Sequence, residues 1–305
     1  MSRLDQDARL NRRLAHDRPD RRFTANDDAA WGELIEPAPG EKAAKRDTGM
    51  RILLFASMAM GLRAVQTVTA YEERHRERIN LVGLVTDDPA NAGAKISLKR
   101  RLWQYLDADQ RLTMETATIE TALERGTSVY TGEIKVDWFR QWARERRPDV
   151  ILVCGLGQVL DRVLIDLPPY GSYNFHPADL AHHHGAGAAP FGDIAERDAR
   201  TTVWSVHQVT EVVDAGPVIG QSPPVNIRDT EGAIPDTLAM FEKMLEPLPT
   251  MVTVLLDTLV MRFENEQKGD IDDVDFDACF PAAVKTRILE PVADPRTPAA
   301  PTDRD

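Results

Sequence analysis

The sequence is poor in cysteine, in long apolar runs and in positive charge. Its 305 residues include only two cysteines, Cys154 and Cys279, too few for a disulfide scaffold or a zinc finger. No apolar run approaches the roughly 18 residues of a membrane span, and the first residues lack the apolar core of a signal peptide. The 49 acidic and 37 basic side chains leave a net charge of −12, which disfavours nucleic-acid binding through phosphate contacts. We therefore expect a cytoplasmic protein with no membrane partner.

Composition divides the chain into three parts. Residues 1–49 alternate acidic and basic side chains and predict a poorly ordered N-terminal extension. Residues 50–263 carry the regular apolar patterns of one folded domain, and the 42% of hydrophobic residues suffice for a sizeable core. Residues 264–305 contain eleven acids against five bases and predict a solvated acidic tail. The apolar residues of the extension that could anchor a short docked element are Phe23, Trp31, Leu34 and Ile35.

Buried strands alternate with amphipathic helices after Arg51. Continuous apolar runs predict strands at RILLFA, INLVGLVT and DVILVCG, with helical patterns between them. This order is typical of an α/β fold with a mostly parallel central sheet and helices on both faces. In the second half, TTVWSVHQV alternates and GPVIGQSPPVNI carries edge prolines, which predicts mixed strands. A long helical region, interrupted by prolines, is expected from Thr230 as N-cap to about Phe263.

Polar side chains cluster where the later strands end. Asn174 and His176 lie in GSYNFHP, Ser205 and His207 lie in TTVWSVHQV, and Asp214 follows. An amide, an imidazole and a carboxylate in one cleft suit acyl transfer, because they can stabilise an oxyanion and move a proton. No serine or cysteine in a nucleophile-elbow context accompanies them, so the attacking group must come from the substrate. Taken singly, each motif is also typical of a turn, a satisfied core histidine or a surface loop.

The motifs together resemble a known family. Asn174-Phe175-His176-Pro177, then Gly185 with Ala188-Ala189-Pro190, then Ser205-Val206-His207 through Ile219 occur in this order. In these motifs the chain resembles the formyltransferases that use 10-formyltetrahydrofolate: glycinamide ribonucleotide formyltransferase, methionyl-tRNA formyltransferase and the sugar-nucleotide N-formyltransferases. The resemblance covers roughly residues 50 to 262 and implies a Rossmann-like formyltransferase fold.

The resemblance implies a catalytic trio of Asn174, His176 and Asp214. Asn174 would donate a hydrogen bond to the formyl oxygen, and His176 would stabilise that oxygen or handle the proton. Asp214 would pair with His176, keep it charged and order the water through which the proton leaves. The attacking group would be a neutral amine of a small-molecule acceptor.

The resemblance also implies two loops that hold the formyl donor. Main-chain groups of such loops grip the flat pterin ring, which suits an apolar slot with a few backbone donors and acceptors. A simple turn from strand to helix is the alternative explanation of GLGQVL. The implied donor-binding residues are Gly157, Gln158, Val159, Leu160, Val209, Thr210, Glu211 and Val213.

Departures from the family pattern bear on the acceptor and on metals. After His176-Pro177 the chain continues ADLAHHHG, so the loop that shapes the acceptor side differs. We predict no metal site, because adjacent histidines alternate in direction and no cysteine, aspartate or glutamate other than Asp179 stands at ligand spacing. The three histidines are His182, His183 and His184.

The loop after the first strand has the sequence SMAMG and is not the glycine- and serine-rich turn that usually binds a phosphate. This difference argues against a ribonucleotide as the acceptor. Residues 264–305 are too few and too acidic for a tRNA-binding domain. By elimination we expect a small amine, with an amino sugar on a nucleotide as one example.

Several alternatives stay open. They are a glycinamide ribonucleotide or methionyl-tRNA type of formyltransferase, a formyltetrahydrofolate hydrolase, and a non-catalytic folate-binding protein. A nicotinamide-dependent dehydrogenase is disfavoured, because SMAMG stands where G-x-G-x-x-G is expected. The sequence is compatible with a homodimer.

Overall fold

The computed structural model describes residues 21–23, 32–42, 45–87, 107–181 and 198–293. Its strands are β1 (Arg21–Phe23), β2 (Gly32–Ile35), β3 (Met50–Ala56), β4 (Ile79–Thr86), β5 (Val129–Gly132), β6 (Val150–Cys154), β7 (Ser172–His176), β8 (Thr201–Thr202), β9 (Ser205–Gln208), β10 (Val218–Gln221) and β11 (Val225–Asn226). Its helices are α1 (Pro39–Lys42), α2 (Met58–Arg74), α3 (Ala108–Leu123), α4 (Asp137–Glu145), α5 (Arg162–Ile165), α6 (Thr237–Leu245), α7 (Leu248–Glu264), α8 (Phe276–Cys279) and α9 (Ala282–Leu289).

Nine of these strands form one mixed sheet in the order β1-β2-β5-β4-β3-β6-β7-β9-β10. The central five, from β5 to β7, run parallel, while β9 and β10 add antiparallel strands beyond β7. Strands β8 and β11 form a separate antiparallel pair. The predicted α/β fold, with a mostly parallel sheet and mixed strands in its second half, is confirmed.

Helices cover both faces of the sheet and divide the core into two. Along β6, Leu152 points into the larger cluster, packed beneath α2, α6 and α7; we call this side the α2 face. Its neighbours Ile151 and Val153 point into the smaller cluster with Phe139 of α4; we call that side the α4 face. Because side chains alternate along a strand, a residue's position in its strand decides which face it reaches.

The N-terminal part of the chain extends the sheet. Strand β2 pairs antiparallel with β5, with Leu34 opposite Tyr130, and Ile35 is buried. Gly32 is required there, because a Cβ would lie 2.5 Å from the Trp138 ring. The expectation of a poorly ordered extension is therefore wrong for this segment, since β5 supplies hydrogen-bonding partners that composition does not reveal.

The C-terminal part also differs from the predicted tail. Phe276 and Phe280 around α8 and Ile288 of α9 are buried in the larger core cluster, among many exposed acids. The expectation of a solvated tail is therefore wrong for these residues, because a few widely spaced apolar anchors are masked by the charges between them. The domain boundaries at residues 49 and 263 stay predictions.

The long helix near the C-terminus begins later than expected. Helix α6 starts at Thr237, and the Asp236 carboxylate caps it by accepting from the Leu238 N–H. The prediction of Thr230 as N-cap is wrong, because Pro235 lies between that residue and the capped turn. The stretch Leu238–Glu264 is long and apolar enough to cross a membrane, but half of its most apolar window is buried in the fold. That burial is typical of a core helix.

The packing of α8 predicts a loss of stability on truncating Phe276. Phe276 is 1% exposed, so Phe276→Ala should lower the free energy of unfolding in urea by about 3–5 kcal/mol. The control is Lys285→Ala, which removes only a partly exposed 2.9 Å ion pair with Asp277 and should change it by less than about 1 kcal/mol. Equal free energies of unfolding for the two variants would contradict the burial of Phe276 in the core.

Candidate active site

Strand β7 carries two of the predicted site residues on one face. Asn174 pairs with Val153 of β6, whose side chain lies on the α4 face, so Asn174 and His176 both point to that face. Tyr173 and Phe175 point to the α2 face and are buried in its cluster. The alternation of β7 therefore buries its apolar half and leaves an amide and an imidazole beside each other.

The neighbouring strand adds a second imidazole. Strand β9 is antiparallel to β7 and places His207 directly opposite Asn174. Residues directly opposite in such a pair share a face. Asn174 Nδ2 lies 3.0 Å from His207 Nε2, and His207 is only 2% exposed. The sequence placed His207 among the candidate positions but assigned it no role, since only the strand register reveals its contact with Asn174.

The third predicted residue, Asp214, reaches the same place from the loop after β9. Its Oδ1 lies 3.7 Å from His176 Nδ1 and 3.6 Å from His207 Nε2. Asp214 has a φ of 54°, in the left-handed region that aspartate tolerates better than most residues. The structure thus brings Asn174, His176 and Asp214 together, with a buried carboxylate between two imidazoles.

The hydrogen bonds of His207 indicate its tautomer. Its Nδ1 lies 2.8 Å from the Gln208 carbonyl oxygen, which can only accept, so Nδ1 carries the proton. Nε2 is then the acceptor for the Asn174 amide. An amide nitrogen has two hydrogens, and this bond engages one of them. His207 consequently fixes the plane of the Asn174 amide and the direction of its second N–H.

Ser205 has a different place from the trio. Its hydroxyl is fully buried, donates to the Ala178 carbonyl at 2.7 Å and accepts from the Leu180 N–H at 3.2 Å. These bonds hold the turn that follows His176-Pro177. Ser205 therefore orders the chain next to the site.

The two predicted donor loops lie on the same face as the trio. Leu160 is buried in the α4-face cluster, and Leu156 and Val209 pack against that cluster from the two loops. Val212 and Val213, just before Asp214, are 66% and 36% exposed. An exposed apolar pair beside buried polar groups is what a flat ring would cover.

Several donor-loop side chains are used within the protein. Gln158 Nε2 donates to Asp87 at 2.9 Å and to the Gly132 carbonyl at 2.8 Å, while its Oε1 accepts from the Ile134 N–H. The Thr210 hydroxyl donates to the Val212 carbonyl at 2.9 Å. Ligand recognition by these loops would therefore depend on their main chain and apolar surface. The donor-binding roles of all eight residues stay predictions: Gly157, Gln158, Val159, Leu160, Val209, Thr210, Glu211 and Val213.

A separate cavity of about 900 Å³ opens between α2, α3 and α6. Met58, Leu62, Met114 and Phe241 are among its lining residues. These helices cover the α2 face, opposite the face that carries Asn174 and His207. The cavity is therefore distinct from the site formed by the trio.

No group of three or more histidine, cysteine, aspartate or glutamate side chains is placed to hold a metal ion among the residues that the structure describes. His182, His183 and His184 lie outside the described residues, as do Gly185 and Ala188–Pro190. The predicted absence of a metal site stays a prediction.

Comparison with known proteins supports the resemblance. A family model described as formyl transferase matches residues 50–251. The methionyl-tRNA formyltransferase of Dictyoglomus thermophilum is 25% identical over 185 residues, which cover 58% of this chain and 53% of the relative. The enzyme of the same name from Thermotoga neapolitana is 28% identical over 188 residues, or 60% of this chain and 52% of the relative. The chain thus spans about half the length of these relatives.

A solved structure shows the same fold. Glycinamide ribonucleotide transformylase 1 from Geobacillus kaustophilus has a TM-score of 0.51 at 20% identity, covering 70% of this chain and 99% of the other. Proteins of the matched family use 10-formyltetrahydrofolate as formyl donor. The family model covers most of the chain and includes the strands and loops that carry the trio. This chain therefore belongs to the formyl transferase family.

Proposed function

We propose that the chain transfers a formyl group from 10-formyltetrahydrofolate to the amine of an acceptor. The observation that carries this proposal is the meeting of Asn174, His176 and Asp214 on one face of the sheet, with Asp214 3.7 Å from His176. Both candidate donor loops lie on that face. The donor supplies an activated one-carbon acyl group, and the residues of the chain bind it, orient it and move protons.

Asn174 provides the hydrogen bond that stabilises developing charge. The oxygen of an acyl group gains negative charge when an amine attacks the carbon. One N–H of Asn174 is directed to His207, 3.0 Å away, so the amide is held before a ligand arrives. A donor oriented in advance needs no reorganisation during the reaction, which is why its second N–H is effective.

His176 and Asp214 handle the proton. The side chain of His176 is 13% exposed, whereas that of His207 is 3% exposed, so His176 is the imidazole that a ligand can reach. The Asp214 carboxylate attracts a charged His176 ring, and a water bound by both can take the proton that the amine loses. His207 is less accessible and acts through Asn174.

The described residues fit the formyl donor. Leu156 and Leu160 of one loop and Val209 of the other share an apolar cluster, and Val212 and Val213 are exposed beside it. A pterin ring needs such an apolar surface together with main-chain partners at its edge. We therefore propose Gly157–Leu160 and Val209–Val213 as the segments that hold it.

The loop after β3 limits which polar groups the chain can offer to an acceptor. Ser57 is fully buried, and its hydroxyl accepts from the Asp87 N–H at 2.7 Å, so it is turned away from any ligand. Met58 and Met60, which follow it, offer no polar side chain. This loop therefore does not present a serine hydroxyl to a phosphate, and an anion bound there would be held by the main-chain N–H groups at the start of α2.

Methionyl-tRNA is the second candidate acceptor. The two curated relatives with 25% and 28% identity are methionyl-tRNA formyltransferases. The expectation that a nucleic-acid partner is disfavoured is not supported by these relatives. That expectation came from net charge, which averages over the whole surface and does not describe the charge next to the site.

An acceptor screen tests the proposal. The purified chain is incubated with 10-formyltetrahydrofolate and one acceptor at a time, and tetrahydrofolate release is followed. The acceptors are an amino sugar nucleotide, glycinamide ribonucleotide and methionyl-tRNA, with an arm that contains no acceptor. We expect release that depends on one amine. Release of equal rate without an acceptor would instead indicate a hydrolase, and folate binding without release would indicate a binding protein.

Replacement of Asn174 should impair turnover more than donor binding. Asn174→Ala removes the amide that faces the formyl oxygen, so kcat should fall on the order of a hundredfold to a thousandfold. The dissociation constant for tetrahydrofolate, measured by calorimetry, should change less than about threefold, because the donor loops are unaltered. The control is Asn265→Ala at the end of α7, where the side-chain amide donates to the Met261 carbonyl at 2.7 Å. Equal kcat values for the two variants would refute the role of Asn174.

Replacement of Asp214 separates charge from backbone shape. Asn tolerates the left-handed φ of 54° as aspartate does, so Asp214→Asn should fold with little change in melting temperature. Its kcat should fall on the order of a hundredfold, because the carboxylate that attracts His176 is lost. Asp166→Asn, which removes a carboxylate 3.0 Å from Arg162 at the surface, should retain full activity. An active Asp214→Asn enzyme would exclude the carboxylate from the proton path.

A further inference from the structure

Asp87 lies directly after β4 and is not among the residues that the family resemblance points to. Although it is a carboxylate, it is only 2% exposed. Burial of a charged group is costly unless hydrogen bonds replace water. The groups that form hydrogen bonds with Asp87 therefore indicate which part of the structure its buried carboxylate holds in place.

The Asp87 carboxylate forms hydrogen bonds with the first candidate donor loop, Gly157–Leu160. One oxygen, Oδ2, accepts from the Gly157 N–H, and the other, Oδ1, accepts from Gln158 Nε2 at 2.9 Å. Gln158 is in turn bonded to the Gly132 carbonyl and to the Ile134 N–H. A main-chain group and a side chain of the loop are thus both tied to one carboxylate.

Asp87 is itself held from the other side. Its N–H donates to Ser57 Oγ at 2.7 Å. Thr86 Oγ1 donates to Glu115 Oε1 at 3.1 Å, so the hydroxyl of Ser57, 3.3 Å from Thr86 Oγ1, must donate to Thr86. Each hydroxyl has one hydrogen, which gives this chain of bonds a single direction from Asp87 to Glu115. The aspartate is consequently fixed with respect to the ends of β3 and β4.

We propose that Asp87 is a positioning residue for the formyl donor: its carboxylate sets the main-chain geometry of Gly157–Leu160 and thereby the affinity for folate. The inference rests on the proposed function, which assigns the donor to this loop. Recognition of a ring edge by main-chain groups depends on the direction of each N–H and C=O, and a loop tied at Gly157 and Gln158 has few alternative directions.

Calorimetric titration of the full chain with tetrahydrofolate tests this role. Asp87→Asn keeps the shape of the side chain but leaves one oxygen to accept from two donors. Its dissociation constant should rise about tenfold, whereas kcat at saturating donor should stay within about twofold because Asn174 and Asp214 are untouched. A change in kcat with unchanged folate affinity would overturn the proposal.

A second variant tests whether Asp87 acts through the loop. Gln158→Met removes the amide and keeps the length of the side chain, and it should also raise the dissociation constant about tenfold. If both residues act through the same hydrogen-bonded loop, the dissociation constant of the double variant should rise about as much as that of either single variant, and not a hundredfold. Independent, multiplying effects would overturn the proposal. Should Asp87→Asn fail to fold, Gln158→Met alone decides: unchanged folate affinity in that variant refutes the role.

The matched control is Asp149→Asn, at the opposite end of β6. The Asp149 carboxylate also accepts from a backbone N–H, that of Arg51 at 2.8 Å, but it precedes β6, whereas Gly157–Leu160 follow the other end of that strand. This variant should lose stability and keep its folate affinity. An equal loss of folate affinity in Asp149→Asn and Asp87→Asn would show a general structural effect and refute the proposal. No folate binding by the unaltered chain would overturn the proposed function as well.

Discussion

The antiparallel pairing of β7 with β9 is the constraint on which the site depends. It puts Asn174 opposite His207 at the border between the parallel and antiparallel parts of the sheet. Along β7, Tyr173 and Phe175 are held in the core, so Asn174 and His176 have to face the other side. A shift of the register by one residue would exchange these faces and bury the polar pair among apolar side chains. The core of the protein therefore enforces the geometry of the site.

The meeting of the trio in one place was predicted because its members belong to the short motifs that carry the family resemblance. Asn174 and His176 are two residues apart, a spacing that puts them on one face of any strand. His207 and Asp87 could not be given roles in the same way. The contact of His207 depends on which strand lies next to β7, and that of Asp87 on the end of β4 meeting a loop beyond β6. Such contacts arise only from the three-dimensional order of the strands.

The parallel core of the fold was predictable for a similar reason. Runs such as those of β3, β4 and β6 are continuous and apolar, and they have this character wherever both faces of a strand are covered. The segments at either end of the chain lack that signal. Leu34 with Ile35, and Phe276 with Ile288, are few apolar residues among many charges, and their stability comes from the surface that they meet. Local composition does not describe that surface.

The antiparallel pair of β1 and β2 changes one edge of the sheet. Without it, β5 would expose a row of backbone donors and acceptors next to a cluster of aromatic side chains. With it, the edge strand on this side of the described sheet is β1, which spans three residues, while β10 is the edge strand on the other side. Short edge strands offer little template for another chain to add a strand of its own. The pair of β1 and β2 thus limits strand addition at this edge to the three residues of β1.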